Sequence, residues 1–276
     1  MTRLPPAICD FHVHLFPDRL FEAIWDYFSK GYQWDVIHRL YWRDAIGYLR
    51  ERNVGPIVFS NYAHRPGIAE QLTYWNHEVL DKVEDIYCFS AFHPDDDNAL
   101  DYARKAIAHP RVLGFKLQLL VQQIAPHDER FFGLYDLVME SGKRLLLHVG
   151  TGPVGNPYVG LDHFARLMER YPDLPVNVAH MGGLEFQGFF SLLDQHPHLV
   201  FDTSFAYLKK LGLTCDVSPK LLEEKKERIL YGSDFPNLIL PREDEIEYLL
   251  GLNLSEQFYK KVFFENGMRL IRSHSG

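Results

Sequence analysis

The sequence has no apolar run approaching the ~20 residues a helix needs to cross a bilayer. Its opening MTRLPPAICD also lacks the apolar stretch of a secretory signal, so the cytosol is the expected location. Cysteine is scarce: Cys9, Cys88 and Cys215 are odd in number, far apart and without a C-x-x-C pair. That excludes a disulfide framework and a thiolate zinc site and leaves buried thiols. Basic patches are missing too, and 29 Lys and Arg against 37 Asp and Glu give a formal charge of −8. Nucleic acid and an anionic membrane are excluded as main partners, and a small molecule is expected. No Gly-rich phosphate fingerprint follows any predicted strand, which disfavours a dinucleotide-binding sheet. The densest charge run, LLEEKKERI (221–229), reads as one solvated helix face.

What is present is a repeat of short apolar runs, each followed by helical spacing. Strands are predicted at 7–15, 56–61, 86–92, 112–117, 144–150, 175–180, 199–204 and 228–234. Between them, DERFFGLYDLVMESG (128–142) and GLDHFARLMERYP (160–172) carry i+3 and i+4 apolar spacing and end at Gly142 and Pro172. Eight strand-helix units in 276 residues predict an α/β fold, a (β/α)8 TIM barrel forming a single domain over 1–276. A doubly wound open sheet is the alternative.

One connection is too long for the repeat. Residues 17–55 form an insertion after the first strand that carries Phe21, Trp25, Tyr27, Phe28, Tyr32, Trp34, Tyr41, Trp42 and Tyr48. In a barrel it leaves from the C-terminal rim, where active sites lie. Rings in such a segment commonly pack helices or a subunit interface, so a homodimer is a candidate assembly. The sharper expectation is a helical lid over an apolar or aromatic substrate.

The stretch CDFHVHLF alternates Asp10, His12 and His14 with Phe11, Val13 and Leu15. In a regular strand the first three share one face and the last three the other, which would seat the apolar set against the surrounding helices. Two imidazoles at i and i+2 sit roughly 6 to 7 Å apart at the backbone, close enough for both to reach one ion. His148, His180 and Asp234 then fall at or near the ends of three other predicted strands, and strand ends of a barrel converge on one mouth. His38, His77, His109, His127, His163, His196 and His198 lie in predicted helices or loops and are assigned no chemistry.

Taken together, D-x-H-x-H on strand 1, GFKL on strand 4, the histidine after strand 5, AHMGG on strand 6, GSDFP on strand 8 and the closing ENGMRLI resemble the amidohydrolase superfamily. The similarity is to its amidohydrolase-related branch, which includes aminocarboxymuconate semialdehyde decarboxylase-like proteins, and it spans essentially the whole chain. The resemblance implies one divalent metal ion, usually zinc, at the barrel mouth. It makes His12, His14, His148 and Asp234 the expected ligands, with His180 a ligand or a base beside the metal. Asp234 and His180 are the expected catalytic pair, carrying the proton of a metal-activated water to the leaving group.

Lys116 has several readings: a carboxylated bridge between two ions, a substrate-binding ammonium, or an interior salt bridge to Asp10 or Asp202. His64, Arg65, His93 and Tyr207 are further candidates for the substrate pocket, and Gly182 and Gly183 permit a turn whose N–H groups would meet an oxyanion. Asp10 is expected to support the ligands or to pair with Lys116. The leading functional expectation is a hydrolase of a small ester, lactone or amide. A non-oxidative decarboxylase of a small carboxylic acid, such as an aromatic one, uses the same ligands. A non-catalytic metal-binding barrel is the third reading, against which all five candidate positions stand intact.

Overall fold

The computed structural model describes residues 4–152 and 154–274. Eight parallel strands follow one another around a single sheet: β1 (Ile8–His14), β2 (Val54–Ser60), β3 (Ile86–Ala91), β4 (Val112–Leu117), β5 (Arg144–Leu147), β6 (Val176–Val178), β7 (Val200–Asp202) and β8 (Ile229–Leu230). The ring closes through the chain just beyond β8. There Phe11 N–H donates to Tyr231 O at 2.9 Å, Asp234 N–H to His12 O at 2.7 Å and His14 N–H to Phe235 O at 2.7 Å. This is the expected (β/α)8 barrel. The closing approach is tight enough to require glycine at 232, where a Cβ would lie 2.7 Å from that of His12.

Helices surround the sheet: α1 (Asp18–Tyr32), α2 (Trp42–Arg50), α3 (Ala69–Lys82), α4 (Ala99–Ile107), α5 (Phe132–Glu140), α6 (Leu161–Arg170), α7 (Phe186–Leu192), α8 (Arg242–Gly251) and α9 (Asn266–His274). The expected helices at 128–142 and 160–172 correspond to α5 and α6. Within the insertion, α2 is the helix that packs on β2, so the added element is α1 and the segment after it. Phe21 and Trp25 of α1 are buried one turn apart, stacked at 5.3 Å, and Phe21 meets Phe16 edge-on at 5.5 Å. That apolar stripe fixes α1 to the barrel rim.

The strict alternation expected of β1 does not hold. Asp10 pairs with Ile57 and Val13 with Phe59, three residues against two, so β1 carries a bulge. Phe11 and His12 consequently both turn inward. Phe11 meets Phe89 of the non-adjacent β3 edge-on at 6.2 Å, a contact made only across the barrel interior. Cys9 and Phe11 belong to a buried cluster with Val58, Phe89, Leu113 and Leu146. Val13 and Leu15 do pack outward, with Phe59 and the helices.

The same cluster includes Leu270 and Ile271 of α9. This helix starts beside Cys9 and ends where Lys143 Nζ donates to His274 O at 3.4 Å, next to β5, and so crosses beneath the barrel. A Cβ at Gly267 would lie 2.5 Å from Cys9 Sγ, so the plug seats only because that position is glycine.

Strands β5 to β8 are shorter than the apolar runs suggested. His148, His180 and Asp234 stand one, two and four residues beyond the ends of β5, β6 and β8. The chain leaves extended geometry there because His180 (φ 57°) and Asp234 (φ 62°) adopt left-handed conformations. None of the helices is long and apolar enough to cross a membrane among the described residues.

Candidate active site

Five side chains meet at the barrel mouth. His12 and His14 come from the upper end of β1, on either side of the bulge's outward Val13. Asp234 reaches them along the closing seam, with its Oδ1 3.2 Å from His12 Nε2 and 3.0 Å from His14 Nε2. His180 lies over His12, the rings stacked at 5.2 Å, and its Nε2 is 3.2 Å from His148 Nδ1. One ligand atom from each of His12, His180 and Asp234 falls within 4.8 Å of the others.

The second nitrogen of each ring is tied to the protein, and this fixes the direction of the first. His12 Nδ1–H donates to Asp202 Oδ2 at 3.0 Å. His180 Nδ1–H donates to the Ser204 carbonyl at 3.0 Å, and His148 Nε2–H to the Gly152 carbonyl at 2.9 Å. The Ser60 hydroxyl, donating to Val13 O at 3.4 Å, offers its oxygen to His14 Nδ1–H at 3.4 Å. What remains are lone pairs turned toward one another: Nε2 of His14 and His180 and the Asp234 carboxylate, with Nε2 of His12, 3.4 Å from Lys116 Nζ, and Nδ1 of His148, 3.4 Å from the Gln118 amide nitrogen. Acceptors facing acceptors inside a protein call for a cation between them.

Burial disfavours charge on three of the rings, while both acids are held ionised. Burial lowers His12 and drives His148 well below the usual imidazole range, and it brings His180 to about 4 despite the pull of Asp234. For Asp234 burial alone would raise the pKa, but His14, His12 and His180 outweigh it and hold the carboxyl well below the ordinary value. Asp202 is held down in the same way by His12 and His180, with its Oδ1 accepting the Ser204 hydroxyl and the His180 N–H.

Lys116 is buried, with Nζ 3.4 Å from His12 Nε2, and burial lowers it to about 8 against the pull of Asp234 and Asp202. It does not pair with Asp10. That carboxylate turned the other way with the bulge and accepts the backbone N–H groups of His12 (3.2 Å) and Ser233 (3.1 Å), near the buried Arg242. Asp10 thus braces the ends of β1 and β8 through their backbone.

Above the cluster opens a cavity of about 460 Å³. His14, His148, His180 and Asp234 form one end, and α1 supplies Leu20, Ala23, Ile24, Tyr27 and Phe28 from above. Phe205, at φ 54°, stands edge-on to His180 at 5.8 Å and stacks on Trp34 at 6.1 Å, linking barrel and insertion. Its backbone is held by Glu245 of α8, whose carboxyl oxygens accept Phe205 N–H at 3.3 Å and Tyr207 N–H at 3.1 Å.

Of the residues expected in the substrate pocket, His64 lines the cavity at its exposed rim. Arg65 is exposed and outside it. His93 is buried elsewhere, its ring accepting Asp95 N–H at 3.3 Å, and Tyr207 packs on Tyr248. Gly183 N–H is already given to His180 O at 2.8 Å, which removes it as an oxyanion donor. Ser204, Gln118 and Phe205 were missed, and Asp202 was named only as a partner for Lys116, whereas it accepts from His12. Asp202 carried a usable signal: like the other site residues, it closes an apolar strand at the barrel mouth.

A (β/α)8 barrel with imidazoles and carboxylates gathered at its C-terminal mouth places the chain among metal-dependent barrel enzymes. The sequence matches the amidohydrolase family over residues 9–272, and the chain belongs to that family, whose members are metal-dependent enzymes. No curated protein sequence matches it significantly. Similar solved structures include an uncharacterized TIM-barrel protein from Bordetella bronchiseptica, with 14% identity, TM-score 0.74 and coverage of 98% of this chain and 100% of that one. Another is a 5-carboxyvanillate decarboxylase from Novosphingobium aromaticivorans, complexed with manganese and a nitrobenzoic acid, at 14% identity, TM-score 0.68 and 96% of both chains. A third is a probable 2-pyrone-4,6-dicarboxylic acid hydrolase from Acinetobacter baumannii with citric acid bound, at 15% identity, TM-score 0.66, covering 96% of this chain and 99% of that one. At such identities the likeness speaks for the fold.

Proposed function

We propose that the protein is a metal-dependent hydrolase of a small ester, lactone or amide. The observation that carries this reading is the set of facing lone pairs, those of the imidazoles each aimed by a hydrogen bond at the opposite nitrogen. We assign His12, His14, His148 and Asp234 to the ion. Zinc is the first metal to try, because imidazole and carboxylate donors suit it, and manganese, iron and cobalt follow. A divalent ion held there supplies a polarised carbonyl and a water of lowered pKa.

The chain's own groups do the rest. His180, neutral and fixed by the Ser204 carbonyl at Nδ1, takes a proton at Nε2 and returns it to the leaving group. Asp234, ionised and adjacent to both β1 histidines, shares that proton traffic. Lys116, buried outside the cavity lining with Nζ 3.4 Å from His12 Nε2, places a positive charge beside the cluster that steadies negative charge developing there. With Lys116 free the site takes one ion; a carboxylated Lys116 would take two. His64 contacts the substrate at the rim, and α1 closes over it as a lid that excludes water.

A decarboxylase is the second reading, favoured by the aromatic cavity wall together with an ammonium beside the cluster, a pairing that suits an aromatic acid. The test uses metal-stripped protein reloaded with zinc, presented with lactones, aryl esters and aromatic acids. Acid production that vanishes on chelation is the expected result. Carbon dioxide from an aromatic acid overturns hydrolysis in favour of the second reading. Full activity after stripping sinks both.

A further inference from the structure

We propose that the substrate is a bulky aromatic compound with its single acid, ester or lactone group at one end and no charge at the other. The inference rests on the reading that the His12–His14–Asp234 end of the cavity is the reacting end. Three observations carry it.

The first is the asymmetry of the walls. Ionisable side chains line the cavity at the cluster and at the rim, as Asp234, His14, His148, His180 and His64, and no lysine or arginine lines it among the described residues. Away from the cluster the surface is aromatic and aliphatic. The hydroxyls of Tyr27 and Tyr32, which also face the cavity, lie 3.2 Å apart and partner one another. A second carboxylate would leave water and find no cation, which the physics of buried charge penalises heavily.

The second is the aromatic path. From His180 it runs through Phe205 to Trp34, and Trp34 is flanked by Phe28 at 5.7 Å and Tyr32 at 5.9 Å. Offset and edge-on ring pairs of this kind extend readily to a bound ring. The third is size. A cavity of about 150 Å³ holds one benzene. At about 460 Å³ this one has room for two fused rings and a substituent.

The experiment measures binding by calorimetry with zinc-loaded protein and three probes: 2-naphthoate, 2,6-naphthalenedicarboxylate and acetate. Naphthoate is expected to bind at least 30-fold tighter than either of the others. Trp34→Ala should weaken naphthoate about 10-fold and leave acetate unchanged, and Ala23→Arg, which puts a cation on the exposed cavity face of α1, should bring the dicarboxylate to within a few-fold of naphthoate. Equal binding of the two naphthalene acids to the parent protein, or naphthoate no tighter than acetate, overturns the proposal. Metal-free protein separates it from the reading beneath it. If naphthoate discriminates equally well without metal, the assignment of the reacting end fails while the substrate class survives. If discrimination is absent with metal bound, the substrate class fails alone.

Discussion

The two ends of the barrel are built from the same strands to opposite rules. At the lower end Phe11, Val58, Phe89, Leu113 and Leu146 close on the α9 plug in an apolar, fully buried cluster. At the upper end the packing gives way to imidazoles and carboxylates. There His180, Met181, Phe205 and Asp234 hold left-handed backbone conformations, at φ 57°, 52°, 54° and 62°, that cost non-glycine residues energy. One strand serves both ends, since β1 sends Cys9 and Phe11 into the plug and His12 and His14 into the mouth. Stability and chemistry are thereby separated along a single strand, with the bulge between them.

That separation can be broken from either side. The largest effect is expected from His12→Ala combined with His14→Ala. Elemental analysis should find the bound metal gone, and the metal-free protein should lose stability as well, because Asp202 loses the His12 N–H that it accepts and Asp234 loses both neighbouring imidazoles. Retention of one equivalent of metal would remove β1 from the site. Phe89→Ala should instead cost about 3–5 kcal/mol in chemical denaturation while the surviving folded protein keeps its metal. If metal is lost in step with a smaller stability change, the two ends are coupled and the comparison fails.

Asp202→Asn tests the join between them. Losing the acceptor that orients His12 should weaken metal binding about 10- to 100-fold, by competition against a chelator, with little change in stability. An unchanged affinity would show that His12 is held by the bulge alone.

The smallest effect concerns Glu245, which burial raises to about 8. Its carboxyl is neutral in the fold below that pH, whereas the unfolded chain ionises near 4.5. The stability this neutrality contributes is complete below about 4.5 and is lost as pH climbs through 8. Glu245→Gln removes the titration while keeping only one of the two acceptor oxygens, so it should flatten that decline in metal-free protein and lower stability at every pH. An unaltered slope would mean that the acid is ionised in the fold and that Phe205 is held by a charge.

Much of this was legible in the sequence. Runs such as PIVFSN and VLGFKL announced strands because a buried barrel strand has little else to be, and His12, His14, His148, His180 and Asp234 announced the mouth by ending such runs. The β1 bulge was not legible. Its cause is the register with β2 and the seam with the chain after β8, neither of which leaves a mark within CDFHVHLF. The wrong faces given to Phe11 and Asp10 follow from that one missing residue of offset. Arg65 and His93 were placed near the pocket because they follow strands, but chain direction after a strand end is decided by loop hydrogen bonds, as when Tyr102 OH accepts the His93 N–H at 3.0 Å. The α9 plug was invisible because its apolar contacts are made by only part of a helix whose other residues are polar.

The seam that joins Asp234 N–H to His12 O spans 222 residues of sequence. Closing so long a loop is slow compared with pairing neighbouring strands. A nascent or partly unfolded chain can display His12 and His14 together, yet Asp234 does not join them until β8 has docked. On the proposed ligand assignment, metal capture is therefore tied to completion of the barrel, and unfinished copies of the protein offer an ion only part of its site.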